Sequence, residues 1–393
     1  MIIHNLLRNS SILDSCAIKL QLKYQEISEI FISDSLYFYL TKSKKRIDDN
    51  VNDWDNYKKI TNPYEYIHTP VHNSTKSISS YEAISRSFFK MIEISNFYKI
   101  LDSFSNKPIK SFHLAEGPGG FIEAMMYMRK NNSDSYHGMT LLSENRNVPK
   151  WTKLQNKFKF KSNTIINYVH GKTENGDLLK YENLEYCFKK YGNSMDLITG
   201  DGGFDFSINY EKQEMAAIPL IMAQIMYAIL MQKQNGTFIL KIFDIFRRPT
   251  AELIYLLTSL YNSVSICKPK TSRFANSEKY VICKGFKLEN SVHFFEKFRL
   301  CLSQMSENKN VNSIFNFEIP ISFIKEIEEI NCIFGKKQLN TIHSTLMMIQ
   351  EKRVEKIEKS TNINIEKCIQ WCVNNNIPYQ SRYKQNNIFT SNK

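Results

Sequence analysis

Four titratable residues, far apart in the chain, are of the types that take a proton from an alcohol. They are Lys90 in SRSFFKMIEI, Asp201 in ITGDGGFD, Lys241 in TFILKIF and Glu278 in NSEKY. A lysine serves as a base when its pKa is brought toward the working pH. Desolvation lowers that pKa, and so does a neighbouring positive charge. Asp201 and Glu278 would pull the other way, but they would orient the amines. The other reading of the same four residues is two ordinary salt bridges at a sheet edge.

A second stretch offers chemistry through its backbone. In FHLAEGPGGFIEAMM, residues 112–126, an apolar run ends at Glu116, and Gly117, Pro118, Gly119 and Gly120 precede a helix-forming pattern. Glycines there let the backbone approach a ligand where a Cβ would collide. The helix that follows offers free N–H groups and a positive dipole end. The order EGPGGF is not the GxGxxG of a dinucleotide cradle. It fits the amino-acid tail of a methionine-type cofactor such as S-adenosylmethionine. A plain tight turn is the other reading.

The elements that must position these residues follow from hydrophobic patterning. Residues 81–289 alternate: helix 81–101, strand 111–115, helix from 119 to about 130, strand 136–142, helix 148–158, strand 163–169, helix 177–190, strand 195–199. The apolar helix 215–231, strand 237–243, helix 249–262 and strands 264–268 and 280–286 complete the series. Such alternation predicts an α/β, Rossmann-like, doubly wound and mostly parallel sheet. The last two strands have no helix between them, so they form an antiparallel edge hairpin. Ligands of such sheets sit beyond the carboxyl ends of the strands. Asp201 and Lys241 fall at that edge. Glu278 joins them if its strand is antiparallel, and Lys90 lies on the helix that can cover it. Residues 1–80 read as an accessory region, with a linker at 66–80, and residues 290–393 as helices at about 291–305, 320–331, 338–358 and 362–376.

SRSFFKMIEI, HLAEGPGGFIEA, GDGGFD, GTFILKIF and KPKTSRFANSEKYVICKGF, in that order, resemble the FtsJ-like ribose 2′-O-methyltransferases. The closer likeness is to the Adrift-type branch, which methylates the first transcribed nucleotides beside the mRNA cap. The resemblance spans roughly 81–289 and implies S-adenosylmethionine as cofactor. It implies a tetrad of Lys90, Asp201, Lys241 and Glu278, with Lys241 as the base that receives the 2′-hydroxyl proton. It implies cofactor contacts at Glu116, Gly117, Gly119, Gly120 and Phe121, at Thr140 after the second strand, at Asp177 toward the adenine, and at Asp201. Many relatives open the first motif with an aspartate where this chain has His113. A histidine there reads as packed and hydrogen-bonded rather than catalytic.

The formal net charge of +13 suits a polyanionic partner. Residues 81–289 carry 28 basic and 20 acidic residues, so +8 of that excess lies on the expected core. Lys268, Lys270 and Arg273 precede Glu278, and Arg247 and Arg248 follow Lys241. Both clusters are expected to border the active rim where RNA phosphates pass, although a solvated charged face would look the same. The expected partner is therefore RNA, the capped 5′ end of mRNA. A ribosomal RNA 2′-O-methyltransferase and a non-catalytic RNA-binding subunit of the same fold are the rivals.

Eight scattered cysteines include no CxxC pair, so no metal site is expected, and a reducing intracellular compartment, cytoplasm or nucleus, is the simplest reading. The N-terminus lacks an apolar core long enough for a signal peptide. The run 215–231 is slightly short for a membrane span, carries Pro219 and Gln224, and reads as a helix buried against the sheet. No membrane partner is expected.

Overall fold

The computed structural model describes residues 1–24, 29–71, 74–105, 107–145, 148–159, 165–203, 212–305 and 310–383. Part of the expected linker (72–73), the start of the expected strand 163–169, Phe204 and Asp205 of GDGGFD, and residues 306–309 and 384–393 lie outside these.

The apolar runs that alternate with helices form one eight-stranded sheet. Its strands are β1 (Ile2–Asn5), β3 (Lys110–Leu114), β4 (Ser135–Met139), β5 (Ile165–Val169), β6 (Met195–Gly200), β7 (Gln232–Ile242), β8 (Tyr261–Lys268) and β9 (Lys279–Phe286). The order is β1-β8-β9-β7-β6-β3-β4-β5. Strands β3 to β7 pair in parallel, and β9 is antiparallel to both β7 and β8. The expected hairpin is therefore present. It is not the edge, because β1 from the N-terminal region pairs outside β8. The strand order reverses between β3 and β6, the point where open α/β sheets bind ligands.

Helices α3 (Ser87–Tyr98), α4 (Gly120–Arg129), α5 (Thr152–Phe158), α6 (Tyr181–Tyr191), α7 (Gln213–Met231) and α8 (Arg248–Leu260) connect the strands. The long apolar run is α7. Its length and hydropathy would allow a membrane crossing, but 78% of its most apolar window is buried within the chain. It is apolar all round because it is packed all round.

The flanks fold against this sheet. Helices α1 (Asp34–Asp48) and α2 (Val51–Thr61) pack against the C-terminal α10 (Ile321–Glu351), while α11 (Val354–Asn374) packs on α2 and α9 (Phe295–Met305) on α6. Two expectations for the C-terminal region are corrected. The helices expected at 320–331 and 338–358 are one helix, α10, and the next begins at Val354. CIFGKK reads as a break, but Gly335 stays helical, and a Cβ there would press on Leu36 of α1 at 2.8 Å. The glycine serves close helix packing. The region is also not all helical, since β10 (Asn310–Phe315) pairs with β2 (Ile18–Lys23) in a two-stranded ribbon.

Candidate active site

Strand register brings the four titratable residues together. Gly200 of β6 lies beside Leu240 of β7, so Asp201 emerges next to Lys241. Lys241 stands opposite Tyr280 on β9, and Glu278 lies just before that strand begins. Lys90 reaches the same lip from α3. Lys241 Nζ lies 3.2 Å from Asp201 Oδ1 and donates to the Asp201 main-chain oxygen at 2.6 Å. Lys90 Nζ donates to Glu278 Oε2 at 2.9 Å.

The two pairs share one field. Burial pushes the Glu278 carboxyl up, but the charges of Lys90 and Lys241 and hydrogen bonds from Lys90 and Ser272 hold it far below the usual carboxylate range. The four side chains keep only 11–16% of their surface open. Two contributors come from residues not singled out in the sequence. Tyr280 donates its hydroxyl to Asp201 Oδ1 at 3.0 Å, and Ser272 donates to Glu278 Oε1 at 2.7 Å. Both lie within KPKTSRFANSEKY, where Tyr280 is the second residue after the glutamate.

The glycine turn lies between β3 and α4, at the reversal of strand order. Glu116 is buried in it, and its Oε1 accepts from the Phe121 and Ile122 amides at 2.7 and 3.0 Å. Burial and the charge of Asp201 hold its carboxyl well above the ordinary range, against the pull of those amides and of Lys241. Glu116 thus caps α4. Phe121 turns its ring into the core, 6.2 Å from Tyr280. The contacts expected from Glu116 and Phe121 to a cofactor are spent, at these atoms, on each other. Gly119 has φ +111°, a conformation that suits glycine. Gly117 donates its amide to Thr140 Oγ1 at 3.2 Å, and a Cβ there would meet the Pro149 carbonyl oxygen. Thr140 is therefore next to the turn. Asp177 accepts from the Leu179 amide at 2.9 Å in the loop after β5.

Beyond the ends of β4 and β5 a hollow of about 420 Å³ is lined by Leu142, Ser143, Glu144, Trp151, Gln155 and His170, among others. Among the described residues, Trp151 Nε1 and His170 Nδ1 are buried without a hydrogen-bond partner. Unpaired polar atoms are costly in a protein interior unless a ligand or water meets them. This hollow is where the residues present fit the adenosine end of a cofactor. His113, by contrast, is fully buried between Ser111 and Thr199, with ring-nitrogen contacts of 2.9 and 2.8 Å, and belongs to the core.

The basic residues expected to face RNA separate into two groups. Lys268 is buried and donates to the Asn276 and Glu278 main-chain oxygens and to Asn276 Oδ1. Arg247 is buried, with Nη1 on the Glu29 main-chain oxygen. Neither is an RNA-facing side chain, because each donates hydrogen bonds to main-chain oxygens inside the fold. Arg273 is forked onto Glu65, through Nε at 3.0 Å and Nη2 at 2.5 Å, with a quarter of its side chain exposed. Lys270, partly exposed, sits over the Tyr64 ring. Arg248 sits over Phe31 and pairs with Glu318.

A family profile described as FtsJ-like methyltransferase matches residues 83–286. The chain belongs to the FtsJ-like methyltransferase family. The matched stretch runs from the segment before α3 to the end of β9 and so contains all four titratable residues. The chain is 28% identical over 366 residues to the "inactive cap-specific mRNA (nucleoside-2′-O-)-methyltransferase 1B" of Caenorhabditis briggsae, covering 80% of this chain and 42% of that protein. It is 27% identical over 317 residues to the cap-specific mRNA (nucleoside-2′-O-)-methyltransferase 2 of Danio rerio, covering 72% and 40%. The chain thus spans about two fifths of the length of these curated relatives. Among solved structures, human methyltransferase-like protein 13 in complex with SAH aligns with a TM-score of 0.35 and 10% identity, over 56% of this chain and 91% of that one.

Proposed function

We propose that this FtsJ-like protein transfers a methyl group from S-adenosylmethionine to the ribose 2′-hydroxyl of a cap-proximal nucleotide of mRNA. The observation that carries the reading is the hydrogen bonding of Lys241. A lysine amine has three positions besides its carbon. One donates to the Asp201 main-chain oxygen, and the Asp201 carboxylate lies 3.2 Å from the amine as an ion pair. With the amine held there by Asp201, a neutral Lys241 can turn its lone pair to a substrate hydroxyl and receive its proton. Glu278, paired with Lys90, supplies the fixed negative charge of the lip.

The bound cofactor supplies the methyl group and a positive charge. Its amino-acid tail would lie along Gly117 and Gly119, and its adenosine in the hollow with Trp151 and His170, near Thr140 and Asp177. The chain's own part is to hold the hydroxyl, receive its proton at Lys241 Nζ and keep the reacting atoms in line, where positioning contributes most.

The names of the relatives support the cap-proximal substrate. So does a cavity of about 200 Å³ lined by Lys44, Trp54, Lys58, Arg273, Phe274 and Ser277, one residue before Glu278. Trp54 and Phe274 there would stack a base. The test is methyl transfer to short RNA with and without a 5′ cap, read by nuclease digestion and mass spectrometry. Capped RNA is expected to be the better substrate. Equal activity on the two overturns the cap reading, and no activity with cofactor binding absent overturns the enzyme.

A further inference from the structure

Glu278 lies in a ten-residue connection, 269–278, between two strands. Such a connection ordinarily has high mobility, yet its glutamate must offer one oxygen to Lys90 and the other to Ser272. Three buried groups hold the connection in place. Lys268 Nζ ties the Asn276 and Glu278 carbonyl oxygens together at 2.7 Å each. Glu65, on the far shoulder, takes the Arg273 fork and lies 3.7 Å from Arg86. Burial pushes its carboxyl up, but these two cations bring it down to about 2.

The third group is Glu93, one turn beyond Lys90 on α3. Its Oε1 accepts from the Lys270 amide at 2.8 Å, and its Oε2 from the Thr271 amide and hydroxyl, each at 3.1 Å. The next residue is Ser272, whose hydroxyl is on Glu278. The remaining donor to Glu93 Oε2 is Trp371 Nε1 of α11, also at 3.1 Å. Glu93, Thr271, Ser272 and Trp371 are all buried. Hydrogen bonds joined by the chain itself therefore connect the C-terminal helix to the lip: Trp371 to Glu93, Glu93 to the 270–271 backbone, and, from the adjoining Ser272, to Glu278 and Lys90.

We propose that Glu93 and Trp371 are positioning residues of the active site: they fix the 270–272 turn so that Ser272 aims Glu278 at Lys90. On this reading the C-terminal helix α11 contributes to the rate as well as to packing. The proposal rests on the methyl-transfer reading above. Charge-assisted hydrogen bonds from amides are strong and directional, so one carboxylate with four donors can set a turn. Removing the Trp371 donor loosens that carboxylate without emptying the core, since phenylalanine keeps most of the ring.

The test uses the full chain and three variants, Trp371→Phe, Ser272→Ala and the double. Trp371→Phe is expected to lower kcat roughly fivefold, and Ser272→Ala roughly tenfold, the scale of one ordinary lost hydrogen bond. S-adenosylmethionine affinity and the KM for RNA should stay within about twofold, because neither residue touches the glycine turn. If Trp371 acts through Ser272, the double variant should be no slower than Ser272→Ala alone. Hydrogen exchange of the peptide covering 268–279 should quicken in Trp371→Phe while the β3–β6 peptides stay protected. Additive losses in the double variant, or faster exchange with unchanged kcat, overturn the proposal. A wild-type chain inactive on every RNA refutes the methyl-transfer reading instead, and the hold of Glu93 and Trp371 on the 270–272 turn is then judged on exchange alone: unchanged exchange at 268–279 rejects it.

Discussion

Lys90 and Glu278 stand 188 positions apart in the chain, and their ion pair is 2.9 Å long. The glutamate belongs to the mouth of the β8–β9 hairpin, the lysine to the helix in front of the first parallel strand. Glu278 also feels the Lys241 charge, so the second lysine acts on the same centre.

Lys241→Met should separate binding from chemistry. The variant keeps the stem and loses the amine, and the Asp201 carboxylate retains the Tyr280 hydroxyl as a donor. Methyl transfer should fall by about 10²–10⁴, the usual contribution of a positioned base. Calorimetry should find cofactor affinity within about twofold of wild type. Near-full activity would remove Lys241 from the role of base.

Gly117→Ala should do the reverse. The added methyl would run into the Pro149 carbonyl oxygen and Thr140 Oγ1, so the turn must part from the loop after β4. That junction borders the hollow holding Trp151 and His170. Cofactor affinity should drop by at least about tenfold, while the thermal midpoint moves by only a few degrees. Unchanged affinity would show that the cofactor does not lie along this turn.

That Asp201, Lys241 and Glu278 would meet was legible in the sequence, because each lies at or beside the end of a strand whose type is plain from its pattern. Strand ends are one-dimensional information once the sheet is known to be doubly wound. Burial is not. Lys268 and Arg247 look like surface cations, and only the fold shows them hydrogen-bonded to backbone oxygens. Tyr280 and Ser272 were hidden for the complementary reason: a hydroxyl gains a role from what it meets. The β2–β10 ribbon could not be read from local pattern, since its strands, Ile18–Lys23 and Asn310–Phe315, come from opposite ends of the chain. The single α10 was obscured by Gly335, whose smallness serves a neighbour rather than a turn.

Glu214 carries a pH signature that can be measured. It is fully buried at the start of α7, and it accepts from the Phe246 and Arg247 amides and from Thr250 at 2.7–3.1 Å. Burial first, and the nearby Asp244 charge, raise its carboxyl to about 7 against those donors. Its folded pKa therefore lies above the unfolded value near 4.5. The native state holds the proton more tightly, so this group's stabilisation is present below about pH 4.5 and is lost as pH rises through 7. The loss amounts to about 3 kcal/mol at most. Glu214→Gln imitates the protonated form. Denaturant midpoints should show it gaining on wild type from pH 5 to pH 8, and a constant difference across that range would refute the assignment.

Asp244 joins the N-terminal helix to the sheet. It follows Lys241 by three residues, and its Oδ2 receives Lys44 of α1 at 3.0 Å while its Oδ1 lies 3.5 Å from Lys279. Burial pushes the carboxyl up, but Lys44 and Lys279 together hold it below the usual range. Lys279 is itself buried, with its amine on the Phe243 and Ser277 main-chain oxygens. Asp244→Asn removes the charge that both lysines share and leaves a buried ammonium without a counter-ion. Breaking a buried pair from one side costs about 3–5 kcal/mol. Lys44→Ala should cost less, because Asp244 keeps Lys279 and the lost partner comes from the outer helix. Urea unfolding monitored by tryptophan fluorescence orders the two variants. If Lys44→Ala proves the more damaging, the junction is held by α1 rather than by the buried carboxylate, and Asp244 is not its centre.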